Sequence, residues 1–291
     1  MSNPLVSVIV PSFNHENYIE SALNSVLSQT YRPLEIIVID DGSTDRTAQV
    51  AKAYLSANSK SAVFISQNNK GAAETINLGM KISSGKYLNI LNSDDAFDVT
   101  RVEKCVSAAE RHDLEFIYTG VDYINAKDDL LHCGEYVQSL RRAEAAARDF
   151  PTLGFAFLKN QLAISTGNMF MARTLVDRVG RFRSYSYVHD WDYVLRCIFY
   201  TEPFALHERL YKYRLHDSNS FRSLRDIEGY ETYEVMANAL HRFISAYPQN
   251  RRAPSPHFWP GTFEKFIADW DYHIYLPPKF RQPLRPGDRI K

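Results

Sequence analysis

Cysteine is scarce in this chain. The three present, Cys105, Cys133 and Cys197 among 291 residues, are too widely spaced, and odd in number, for a disulfide framework or a zinc site. A reducing compartment is the simplest reading. Neither sign of charge is in excess, with Lys plus Arg and Asp plus Glu both at 34, so no global field draws nucleic acid. No apolar run reaches the roughly 20 residues that span a bilayer. The opening Met1-Ser2-Asn3-Pro4 has neither the basic nor the apolar region of a secretion signal. The expectation is a cytoplasmic protein, still able to lie on the inner face of a membrane. Internal repeats and low-complexity linkers are also missing. After the first apolar run stands Pro11-Ser12-Phe13-Asn14 rather than G-x-G-x-x-G, which sets aside a dinucleotide-binding dehydrogenase. The stretch from Gly79 to Lys86 is one residue too long for a phosphate loop, and Tyr87 stands where Ser or Thr is needed. A nucleotidyltransferase on a similar sheet would need a basic, glycine-rich loop after the first strand, and none is there.

What is there is apolar and periodic. Apolar residues make up 45% of the chain, ample for a large domain with an appendage or for two modest domains. Residues 6–10 (VSVIV) and 34–39 (LEIIVI) read as strands buried on both faces. Residues 62–66 and 87–91 are two more. Helical spacing fills the gaps: Ile19, Ala22, Leu23 and Val26; then Ala48, Ala51 and Tyr54, with Ser43 or Thr44 placed to cap; then residues 71–82. Four strand–helix alternations predict a doubly wound α/β sheet, whose ligands bind off the carboxyl ends of the strands. Beyond these lie a helix over 99–111, strands near 116–119, 121–131, 169–171 and 210–215, a helix over 191–199, and a long helix over 227–247.

Two of the strand ends carry acidic pairs, Asp40-Asp41 and Asp94-Asp95. Carboxylates gathered in one cleft repel unless a cation sits between them, and oxygen ligands suit Mg²⁺ or Mn²⁺. Such an ion is commonly shared with substrate phosphates, so the pairs point to a phosphate-bearing ligand. The plainer alternative is that both pairs cap helices.

In order and spacing, several motifs resemble family-2 glycosyltransferases. They are Val8-Ile9-Val10-Pro11-Ser12-Phe13-Asn14, Gln29-Thr30-Tyr31, Val38-Ile39-Asp40-Asp41-Gly42-Ser43, Asn69-Lys70-Gly71, Gly85-Lys86-Tyr87 and Leu91-Asn92-Ser93-Asp94-Asp95. The resemblance implies a GT-A fold: a Rossmann-like mixed sheet flanked by helices, here with a helical C-terminal appendage, and transfer with inversion at the anomeric carbon. It implies that Pro11, Ser12, Phe13 and Asn14 line the nucleoside pocket and that Asp41 holds the base, most often uracil. By the same carry-over Asp94 contacts ribose and Asp95 is the direct metal ligand. Asn92 stands where many relatives have Asp, which lowers the local negative charge.

Further on, Val188-His189-Asp190-Trp191-Asp192 resembles the family's acidic acceptor-side motif. That makes Asp190 the catalytic base, with His189, in place of the usual Glu, either serving as base itself or tuning Asp190. Asp190 is also placed to cap the following helix. The segment Tyr213-Arg214-Leu215-His216 resembles the element that puts His216 near the metal and Arg214 near the diphosphate. Gly167, Asn168 and Trp191 fall where the family meets the sugars, although Gly167 equally fits a turn before a strand.

The expected division is a catalytic domain over 1–222, with a nucleotide half (1–98) and an acceptor half (99–222), followed by an aromatic extension over 223–291. Its basic tail, Lys279, Arg281, Arg285, Arg289 and Lys291 against Asp288, suits an anionic membrane surface or a second copy of the chain. The expected activity is sugar transfer from a nucleotide-diphosphate donor, UDP-linked first, to a glycan or lipid-linked saccharide in bacterial surface polysaccharide synthesis. The alternative is a non-catalytic relative that binds nucleotide or glycan, for which Asn92 and His189 speak.

Overall fold

The computed structural model describes residues 3–59, 61–217, 219 and 225–276. The basic tail, Ser218 and Ser220 lie outside them. The first four strands are β1 (Val6–Ser12), β2 (Leu34–Asp40), β3 (Val63–Ser66) and β4 (Tyr87–Ile90), alternating with α1 (Ile19–Leu27), α2 (Thr47–Asn58) and α3 (Ala72–Ile82). Then come β5 (Ala96–Phe97), α4 (Arg101–His112), β6 (Phe116–Ile124), α5 (Glu135–Ala146), α6 (Leu153–Lys159), β7 (Phe170–Ala172), α7 (Arg173–Val179), α8 (His189–Ile198) and β8 (Phe204–Arg214). The helices α9 (Arg225–Ser245) and α10 (Thr262–Asp269) follow.

The strands form one sheet in the order β3-β2-β1-β4-β7-β6-β8-β5. Its first four strands are parallel, as the apolar runs predict. β7 then pairs antiparallel with both β4 and β6, so the sheet is mixed. Register sets Ser12 beside Asp40 at the carboxyl ends of β1 and β2. β4 ends at the same rim: Leu91 still donates to the Ile9 carbonyl, and the 92–95 turn then carries the chain away into β5 against β8. Three loops, after β1, β2 and β4, therefore open on one edge.

Local differences from the sequence reading have physical causes. α2 starts at Thr47, not at a Ser43 or Thr44 cap, because the Ser43 hydroxyl is taken by Asp40 while Asp45 accepts from the Thr47 amide. Residues 116–124 form one strand, with a bulge at Gly120 where two strands had been expected. Opposite it, Thr119 pairs with Leu206 but Val121 with Tyr211, so β8 carries extra residues at that point. A side chain on Gly120 would meet the His207 carbonyl oxygen at 2.9 Å.

One buried cluster runs from Ile9, Leu88 and Phe116 of the sheet through Phe155, Phe157 and Leu195 to Leu240 and Phe243 of α9 and Phe263 of α10. The C-terminal helices thus share one core with the sheet and the helices that precede them. Arg101 is fully buried and donates to Asn89, Thr119 and Asn168, with its guanidinium over the rings of Phe97 and Tyr211.

Candidate active site

The loops at the strand rim line a cleft of about 980 Å³, within the range of small-molecule sites. Pro11, Ser12, Phe13, Asn14, His15 and Asp41 line it from β1 and β2. Asn92, Ser93 and Asp94 come from the turn after β4. Tyr136, Leu140 and Glu144 come from α5, and His189, Asp190 and Trp191 from α8.

Asn14 takes a left-handed conformation (φ 52°), tolerated by Asn better than by most residues. Its amide donates to the Ser43 hydroxyl and its side-chain oxygen accepts from the Thr44 amide. The His15 amide donates to Thr47. The β1 and β2 loops are thereby tied together, and His15 is directed at the β4 turn. There its Nδ1 lies 2.8 Å from the Ser93 hydroxyl and its Nε2 3.8 Å from Asp94 Oδ2. His216 Nε2 lies 3.1 Å from the same oxygen. Among the described residues, His15, Asp94 and His216 form a group whose potential ligand atoms all lie within 4.8 Å of one another. Burial pushes the Asp94 carboxyl up, but nearby His15 and the His216 hydrogen bond win and hold it below the usual carboxylate range.

Asp95 faces the other way. Its carboxylate accepts from the Tyr211 hydroxyl, and from the Arg214 amide at 2.8 Å. Burial, and then the neighbouring Asp94 charge, raise its pKa well above the ordinary value. From sequence, Asp95 was expected on the metal and Asp94 on ribose. In the structure the carboxylate that meets the two imidazoles is that of Asp94, and Asp95 is the deeper residue that anchors the turn to β8. Asn92 donates to Asp95 at 3.2 Å and to Ser165 at 2.8 Å. An aspartate there would set a third carboxylate against Asp95, which gives the amide at this position a physical reason.

The Arg214 guanidinium, expected at the diphosphate, is fully buried. It holds the Asp94 carbonyl, the Asn125 carbonyl and Asp128 instead, and so fixes the turn from behind. Asp41 does line the cleft. Both its oxygens are occupied, however, accepting from Gln67 and from the amides of Lys70 and Gly71, which shapes the pocket wall. Gly167 and Asn168 lie beneath the floor rather than on it. A side chain on Gly167 would meet the Tyr211 hydroxyl at 2.0 Å, and Asn168 bonds Thr119 and Arg101 in the core. Their neighbours Ser165 and Thr166 make the floor.

At the wall expected to meet the acceptor, α8 begins at His189, so Asp190 sits in its first turn with Val188 as the cap residue. Asp190 nonetheless accepts from the Trp191 amide at 2.7 Å. Its pKa is raised by burial, against the opposing pull of His189. His189 Nε2 lies 3.2 Å from the Thr166 hydroxyl. The Trp191 indole donates to the Phe157 carbonyl, which fixes the ring at the cleft edge. Sequence reasoning expects a helix over 141–147, overlapping α5, but gives no site role to it, to His15 or to the 184–187 loop. A histidine directly after Pro11-Ser12-Phe13-Asn14, at a rim already suspected, was the available signal for His15.

The architecture is that of GT-A transferases. Staphylococcus aureus TarS in complex with UDP-GlcNAc matches with a TM-score of 0.66 at 16% identity, over 94% of this chain and 82% of that one. A mannosyltransferase of Pyrobaculum calidifontis, in complex with GDP-Man and Mn²⁺, matches with a TM-score of 0.63 at 15% identity, over 94% and 76%. The sequence narrows this further: the chain belongs to glycosyl transferase family 2, whose profile matches residues 7–180. An uncharacterized glycosyltransferase of Rickettsia typhi is 30% identical over 79% of this chain and 70% of its own length. Chondroitin synthase of Escherichia coli is 29% identical over 82% of this chain, but that stretch is 33% of the longer enzyme. Among the described residues no helix is long and apolar enough to cross a membrane.

Proposed function

We propose that the chain is a metal-dependent, inverting transferase that moves a sugar from a nucleotide diphosphate, a UDP-sugar first, onto a hydroxyl of a glycan or lipid-linked saccharide in bacterial surface polysaccharide synthesis. The observation that carries this is one cleft holding both Asp94 with His15 and the raised, half-buried carboxyl of Asp190. Asp94, His15 and His216 would hold a divalent cation, which supplies positive charge to a donor diphosphate. Two imidazoles beside one carboxylate are a softer set than the acidic pairs alone would make, and than Asp95 with His216 as expected from sequence, which favours Mn²⁺ over Mg²⁺. The complexes of TarS with UDP-GlcNAc and of the mannosyltransferase with GDP-Man and Mn²⁺ support a nucleotide-sugar donor.

In this reading Asp190 accepts the proton of the acceptor hydroxyl as that oxygen attacks the anomeric carbon from the face opposite the diphosphate. His189, held by Thr166, moderates its basicity, and Trp191 offers an apolar face to a sugar. Thermal melting with UDP, dTDP and GDP, each with and without Mn²⁺, tests the donor site. UDP with Mn²⁺ is expected to raise the melting temperature, and UDP alone to do little. Absence of a shift with every nucleotide in the presence of metal sinks the assignment.

A pH profile follows from Asp190. A base must be unprotonated to act, and burial raises this carboxyl. Therefore kcat/KM should fall as pH drops through a midpoint above the ordinary aspartate value. A midpoint at or below the ordinary aspartate value would remove Asp190 from the role.

A further inference from the structure

From the structure we infer that Glu231, on α9 and beyond the segment that matches the family profile, is the positioning residue for the acceptor-side base. This inference rests on the assignment of Asp190 above. Glu231 is nearly buried, at 7% exposure. One carboxylate oxygen accepts from the Ser186 amide at 2.8 Å. The other accepts from the Tyr187 amide at 2.7 Å and the Val188 amide at 3.3 Å. Three successive backbone donors thus converge on one side chain from a distant helix.

A desolvated carboxylate is costly unless such donors repay it, and charge-assisted bonds of this kind are stronger than neutral ones. What they grip is the segment that leads straight into the site. Ser184, Tyr185, Ser186 and Tyr187 line the cleft. Val188 is the cap residue of α8, and His189 and Asp190 are its first two residues. Displacement of 186–188 therefore carries the base with it. Behind Glu231, Val235 and Met236 lock α9 into the main core, so the carboxylate is presented from a rigid element. Thr232, the next residue on the helix, reaches the cleft itself.

The test pairs Glu231→Gln and Glu231→Ala with Asp190→Asn in the full chain. The assay is UDP release from UDP-GlcNAc with Mn²⁺, with water and then a panel of aryl glycosides as acceptors. Gln keeps the shape of Glu231 but turns an NH₂ toward one of the backbone donors, so about a tenfold loss of kcat is expected. Ala removes the grip and should cost about 100-fold, the scale of an ångström of misplacement. The UDP–Mn²⁺ melting shift and the donor KM should stay within about twofold in both variants. Hydrogen exchange, which needs no acceptor, should quicken at the 186–190 amides and not in the β1–β4 loops.

Unchanged exchange at 186–190 in Glu231→Ala overturns the proposal whatever the turnover, as does loss of kcat and nucleotide affinity in equal measure. If Asp190→Asn is inactive while both Glu231 variants keep full kcat, the positioning role falls and the base stands. If Asp190→Asn keeps full kcat, the base assignment falls first, and this inference with it.

Discussion

Replacing Asp190 by asparagine is expected to lower kcat by about 10³, the middle of the range for losing a positioned general base, and to leave UDP–Mn²⁺ binding as it was. The substitution suits the question because it is nearly isosteric. The asparagine oxygen can still accept from the Trp191 amide, at 2.7 Å in the structure, so α8 keeps its start. What is lost is proton affinity. Burial is the largest influence on this carboxyl, and it strengthens the group as a base where the acceptor hydroxyl would lie. UDP release from UDP-GlcNAc, with melting curves for nucleotide binding, separates the two effects. Full turnover in the variant would move the base to His189, the other titratable group of that turn that lines the cleft, and the same assay on His189→Ala would then show the loss.

The second large effect divides the acidic pair. Asp94→Asn should abolish the Mn²⁺-dependent part of the UDP melting shift. Loss of even an indirect metal partner costs about 10- to 100-fold in affinity, and a direct ligand at least the upper figure. Asp95→Asn should keep that metal increment. The one amide oxygen can keep the Arg214 amide, while the NH₂ replaces the oxygen that accepts from Tyr211 and Asn92, so the Tyr211 hydroxyl must turn to accept and the Asn92 bond is lost. Burial already disfavours charge at this position. Its cost should be a lower melting temperature of the ligand-free protein, about 1–3 kcal/mol for a disturbed buried polar group. If instead Asp95→Asn loses the Mn²⁺ increment and Asp94→Asn keeps it, the roles expected from sequence are the right ones.

That contrast marks how far the sequence could be read. The four parallel strands and their helices were legible because β-branched runs and helical spacing are local signals, and the rim followed from where those runs stop. Which of two adjacent aspartates turns into the cleft was not legible. It depends on β8, about 120 residues away, whose Tyr211 and Arg214 claim Asp95. The same holds for Arg214, a motif residue whose charge is spent on carbonyls and Asp128 behind the site. Gly167 reads as a close approach to a ligand until Tyr211 is seen to fill the space. Glu231 sits in a helix with no motif, and only its three backbone partners give it away. His15 is a further case: a lone histidine acquires meaning when Asp94 and His216 arrive from other elements.

The bulge between β6 and β8 has a consequence for which lengths this chain can tolerate. Between the pairs Thr119–Leu206 and Val121–Tyr211, β6 advances by two residues and β8 by five. The surplus of three is odd, and side chains alternate faces with a period of two. The detour therefore exchanges the faces of β8, and with that exchange Tyr211 comes under the site instead of on the opposite side. Removing one residue from 207–209 would reverse the parity and turn Tyr211 and Tyr213 away from Asp95. Removing two would restore it. Insertions and deletions in this stretch should thus survive in even numbers: melting temperature and the Mn²⁺-dependent UDP shift should fall together in a one-residue deletion and recover in a two-residue one.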